Sequence, residues 1–99
     1  MGNGFGVFTK ESGSIGKSFM DMAMKNSENS ALDPKTQELA YIAVLSAVRL
    51  LSGIEFHVKS AKKLGTTKKE VKSSILVGLP EVGIIATESM DIALKSYDK

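Results

Sequence analysis

The sequence predicts an all-α protein, and three observations carry that prediction. Apolar residues recur at three- and four-residue intervals, and no segment sustains the period-two alternation of a half-buried strand. Helix-boundary residues punctuate the chain at Asp33-Pro34, at Gly65 followed by Thr67 and Glu70, and at Gly78-Leu79-Pro80. At 99 residues the chain is the size of one domain, and about five helices fill it as a single-domain bundle.

The elements follow in order. Residues 1–14 carry Gly2, Gly4, Gly6 and Gly13, and glycine loses much freedom on folding, so this stretch reads as an irregular or mobile tail. Residues 15–99 form the helical domain. The first helix starts near Ser14, a candidate cap, with Ile15, Phe19, Met22 and Ala23 at helical spacing, and fades near Asn26. Asp33-Pro34 starts the second: the carboxylate accepts from free N–H groups, and proline at the first helical position loses no hydrogen bond. It runs through Leu39, Ile42, Ala43, Leu45, Ser46 and Arg49. Ser52-Gly53 marks a break or a tight joint.

A third helix spans about Gly53 to Leu64, with Ile54, His57, Val58, Ala61 and Leu64 on one face and Gly65 as its stop. Thr67 and Glu70 make a capping box for the fourth, through Val71, Ser74, Ile75 and Val77. The last covers about Glu81 to Tyr97, with Val82, Ile85, Ala86, Ser89 and Leu94 inward. The final two helices carry an apolar excess for so small a domain, which predicts contact with another copy of the chain.

Composition excludes several functions. There is no cysteine, hence no disulfide, thiolate nucleophile or thiolate metal site. The net charge of +2, with basic and acidic residues interleaved, does not predict nucleic-acid binding. The lysines from Lys59 to Lys72 read as a solvated helix face. No apolar run approaches the roughly 20 residues that span a bilayer, and the first ten residues lack the pattern of a signal peptide. A cytoplasmic protein without membrane contact is expected. Gly13-Ser14-Ile15-Gly16-Lys17-Ser18 ends like a phosphate-binding loop, but Glu11 stands where that loop needs its first glycine, and a carboxylate there repels phosphate.

Few side chains could do chemistry in a protected place. His57 is the only histidine, and this residue type changes charge near neutral pH. Glu38 lies one turn into the second helix with Tyr41, Ile42 and Leu45 on its face, where a carboxylate is partly desolvated and suited to proton transfer. Arg49, three turns on, shares that face and could bind an anion. Glu55 precedes His57 by two residues and so points away on a helix. A lone histidine makes no metal site without a carboxylate cluster, so neither a metal nor a cofactor is expected. The bland alternative is a packed His57 and a solvated Glu38 favoured by the helix dipole.

Three stretches in this order carry a family resemblance: Leu32-Asp33-Pro34-Lys35-Thr36-Gln37-Glu38-Leu39, then His57-Val58-Lys59-Ser60-Ala61, then Gly65-Thr66-Thr67-Lys68-Lys69-Glu70-Val71. Over roughly residues 19–95 the chain resembles the carboxymuconolactone decarboxylase and alkyl hydroperoxidase D superfamily. The resemblance implies an all-helical fold, assembly through the helices, commonly as hexamers, and a site near a subunit boundary. In the hydroperoxidase branch a glutamate is followed by Cys-x-x-Cys and a histidine four residues later. Those positions fall on Glu38, Leu50, Gly53 and His57, so both thiols are missing and the peroxidase reaction has no sulfur to run on.

The decarboxylase branch also dispenses with the thiols and keeps the histidine. It implies His57 as acid/base and Glu38 as the residue that orients it. Arg49 and Tyr41 are the candidate contacts to a small anionic lactone or enolisable acid. The competing expectation is a non-catalytic helical oligomer that binds a small ligand or a protein.

Overall fold

Glycines at positions 4 and 6 do not keep the N-terminal stretch irregular. In the computed structural model, which describes residues 2–99, helix α1 spans Asn3–Glu11 and helix α2 spans Ser14–Glu28. The expected tail is therefore helical, and aromatic packing supplies the reason. Phe5 and Phe8 sit one turn apart and both meet Phe19 of α2, with ring centroids 6.2 and 5.7 Å from it in edge-on geometry. Such pairs add about 0.5–1.5 kcal/mol beyond their burial. Gly13 makes the turn at φ +56°, and it is the cap of α2; Ser14 is the first helical residue and makes no capping bond. Gly16 is buried, and a Cβ there would collide with Ser12 Oγ. The phosphate-loop-like run is thus a helix start whose glycine answers to packing.

The chain divides into two compact units, one ending at Asp33 and the other running from Pro34 to Lys99. The second unit holds α3 (Pro34–Ala47), a 3-10 turn (Leu51–Gly53), α4 (Ile54–Lys63), α5 (Lys68–Leu76), the short α6 (Leu79–Val82), a 3-10 stretch (Gly83–Ser89) and α7 (Met90–Asp98). The all-α prediction holds, with no strand among the described residues.

The core of this unit is Ile42 of α3, Ile54, Val58 and Ala61 of α4, Val71 and Ile75 of α5, and Ala93 of α7. Ile54, Val58 and Ala61 follow the helical period that the sequence displays. Truncating one such large aliphatic to alanine costs about 2–5 kcal/mol. Three hydroxyls are buried with partners: Ser46 of α3 and Ser89 meet at 2.6 Å, and Ser74 Oγ donates to the Leu39 carbonyl.

Helix ends explain the chain's turns. At the end of α4, Gly65 lies at φ +88°; Thr66 N–H donates to Ala61 O and Gly65 N–H to Lys62 O, which is the Schellman motif. Thr67 and Glu70 form the expected capping box. Glu70 is held below its ordinary value first by the Thr67 N–H and then by Lys35, whose Nζ lies 3.0 Å away.

Two expectations need correction. The last helix is not continuous from Glu81: Gly83 at φ +79° ends α6, and 3-10 geometry persists until Met90. Thr87 and Ser89 hydroxyls donate to carbonyls three residues back, which favours the tighter turn. As a result Ala86 and Ser89 are buried while Val82 and Ile85 face outward. Leu64, expected inward, is exposed because it follows the end of α4.

Candidate functional site

Glu38 stands one turn into α3, and His57 one turn into α4. These two helices pack against each other, and the joint between them is the 3-10 turn that ends in the buried Gly53. A Cβ on Gly53 would lie 3.0 Å from Leu45 Cδ1, so this glycine lets the turn close on α3. The consequence is a contact between side chains nineteen residues apart: His57 Nδ1 and Glu38 Oε2 are 2.7 Å apart, with the histidine 12% and the glutamate 18% exposed.

This geometry sets the imidazole's chemistry. An ionised carboxylate only accepts hydrogen bonds, so Nδ1 carries the proton and, in the neutral ring, Nε2 carries the lone pair. Nε2 has no partner among the described residues, yet it is not sealed: the only fully buried, unpaired side-chain nitrogens or oxygens among them are Ser12 Oγ and Thr66 Oγ1. A mostly buried histidine with one nitrogen oriented by a carboxylate and the other unpaired and still reachable is equipped to move a proton.

Aromatic rings flank it. Tyr41, one turn after Glu38 on α3, lies 4.8 Å from His57 between ring centroids at 43°, and Phe56 meets it edge-on at 5.1 Å. Tyr41 Oη accepts a hydrogen bond of 2.8 Å from Gln37 Nε2. Gln37 and Phe56 are site neighbours that the sequence reading passed over. The Gln37–Tyr41 spacing of four residues was the available signal.

The structure brings Glu38, Tyr41 and His57 together and places Arg49 apart. The expectation that Arg49 shares their helical face assumed a longer helix, but α3 ends at Ala47 and Arg49 lies beyond it at φ +59°. Leu50 N–H donates to Leu45 O and Arg49 N–H to Ser46 O, a second Schellman closure with arginine in the position usually held by glycine. The Arg49 side chain is exposed. Of the two cysteine-equivalent positions, Leu50 is exposed and Gly53 is buried. Glu55 turns away from His57, as expected, and pairs with Lys59 at 2.9 Å.

A separate groove of about 730 Å³ runs between α3 and α5, lined by Leu39, Ala40, Ala43, Val44, Ser73 and Val77 among others. Its α3 residues lie on the side of the helix opposite Glu38 and Tyr41. Among the described residues no three His, Asp or Glu side chains converge as a metal site, and no helix is long and apolar enough to cross a membrane.

No curated protein and no solved structure gives a significant match to this chain. A family model does, over residues 14–95, which run from the start of α2 into α7 and take in Glu38, Tyr41 and His57. The chain belongs to the carboxymuconolactone decarboxylase family.

Proposed function

We propose that the protein is a thiol-independent lyase of the decarboxylase type, acting on a small anionic lactone or enolisable acid. The observation that carries this reading is the Glu38–His57 pair with an open Nε2. In such a reaction the bond to the departing carboxylate breaks and its electron pair passes into the conjugated carbonyl. Carbon dioxide leaves, and the resulting dienolate takes a proton at carbon from Nε2–H of the protonated His57. Glu38 holds Nδ1–H and stabilises the charged ring, which then regains its proton from solvent. Tyr41 walls the site beside the ring. Arg49, exposed beyond the end of α3 and apart from the Glu38–His57 pair, is given no part in the step. With no cysteine in the chain, a thiol-based peroxidase reaction is not part of the proposal.

The test is decarboxylation of carboxymuconolactone, with solvent-deuterium incorporation into the product. His57→Gln and Glu38→Ala are expected to lower the rate about 10²–10⁴-fold and about tenfold or more, respectively. Equal rates in wild type and His57→Gln would remove the acid/base role.

A second reading has its own observation. From Ser73 to Thr87 the only charged residue is Glu81, and Leu76, Val77, Leu79, Val82, Ile84 and Ile85 are all exposed. This charge-poor aliphatic surface supports a homo-oligomer, a hexamer by the family resemblance, and is compatible with a non-catalytic scaffold that binds a small ligand or protein. Lactone turnover that depends on His57 would separate the two readings in favour of the enzyme.

A further inference from the structure

We infer that Tyr41 donates its phenolic proton to the oxygen on which the enolate charge develops, and that Gln37 is the positioning residue that keeps that proton available. The inference rests on the acid/base reading of His57. A dienolate needs a proton donor at its carbon and a hydrogen-bond donor at its oxygen, because charge on oxygen is stabilised by a preorganised donor in a site of restricted water. His57 supplies the first. The second must lie beside the imidazole and hold an uncommitted proton.

Tyr41 meets both conditions. Its ring is 4.8 Å from that of His57, and its oxygen is occupied as an acceptor by Gln37 Nε2 at 2.8 Å. A phenol that accepts one hydrogen bond still has its own O–H to give. No acceptor for that proton is found among the described residues. The donated bond from Gln37 also fixes the position of the phenol by a tether four residues back on the same helix. The other tyrosine differs: Tyr97 O–H is spent on the Thr66 carbonyl at 2.7 Å, so Tyr97 serves as an internal reference. The substrate class narrows accordingly. The acceptor oxygen must be conjugated to the carbon protonated by His57, as in a lactone enolate, and a carboxylic acid without such an oxygen would leave Tyr41 unused.

The probe is 4-nitrophenolate, a planar conjugated anion that shares its charge between the phenolate oxygen and the nitro group, titrated into protein carrying ¹³Cζ-labelled tyrosine. In wild type, binding is expected to move the Tyr41 signal and leave Tyr97 in place. Tyr41→Phe is expected to weaken binding about tenfold or more, the usual worth of a hydrogen bond to a charged group. Gln37→Met keeps side-chain length without a donor. It is expected to shift the ligand-free Tyr41 signal and weaken binding about threefold to tenfold, while Tyr97 reports an unchanged fold. The proposal is overturned if wild type does not bind the probe at millimolar concentration, if the Tyr41 signal does not respond, or if either variant binds as wild type does. Failure of the acid/base reading shows elsewhere, as carboxymuconolactone turnover indifferent to His57→Gln, and leaves the anion titration readable.

Discussion

Glu38 and His57 show how one contact decides what a lone histidine can do. The 2.7 Å bond commits Nδ1 and leaves Nε2 to solvent. Removing the acceptor should therefore change the tautomer before it changes the fold. In Glu38→Ala the neutral ring is expected to shift toward the Nε2–H form, visible in imidazole ¹⁵N signals; an unchanged tautomer would show that Glu38 does not orient the ring. Both residues were legible as candidates, His57 by being unique and Glu38 by its helical face. Their bond was not, because it depends on the angle between two helices. Arg49 was misplaced for the converse reason: a helical face extrapolates only as far as the helix, and α3 stops two residues short of Arg49. Its left-handed backbone yields a prediction. Arg49→Gly should raise stability by up to about 1 kcal/mol, the steric relief exceeding the entropy lost to glycine. A lower melting temperature would contradict this account of the turn.

Helix ends govern the element scale. Gly65 stands at φ +88° with open space where a Cβ would be, so Gly65→Ala tests backbone conformation alone. It should cost about 1–2 kcal/mol in a denaturant midpoint series. The capping box of α5 adds a pH dependence. Glu70 is held below its ordinary 4.5 by the Thr67 N–H and by Lys35. A carboxylate lowered in the folded state contributes stability above its unfolded value and loses it as pH falls through the folded one. Acidification below about pH 4.5 should thus weaken wild type more than Glu70→Gln; parallel pH profiles would exclude Glu70 as a source of acid sensitivity. Boundaries of this kind were plain in the sequence because cap chemistry is local. What escaped it was α1, whose two glycines are outweighed by Phe5 and Phe8 packing on Phe19, and the break at Gly83, where 3-10 geometry displaced a helix that the apolar period alone supported.

At the scale of the whole molecule the surplus is apolar. Ile84 is 79% exposed and Val77 67%, in a charge-poor stretch that a lone soluble domain has no reason to present to water. We expect self-association that Ile84→Lys or Val77→Lys weakens, measured by sedimentation velocity. A wild-type monomer at micromolar concentration would contradict that expectation. The apolar excess was visible in the sequence; which copies meet and through which helices is not written in any local pattern.

The most direct test is the ¹⁵N spectrum of the single imidazole, followed across pH and with carboxymuconolactone or a small dicarboxylate added. Expected are a protonated Nδ1 and a bare Nε2 in the neutral ring, an Nε2 signal that responds to the ligand, and loss of both features in Glu38→Ala. An Nε2–H tautomer, or a signal that ignores pH and every ligand, would make His57 a packed structural residue and end the case for an acid/base site.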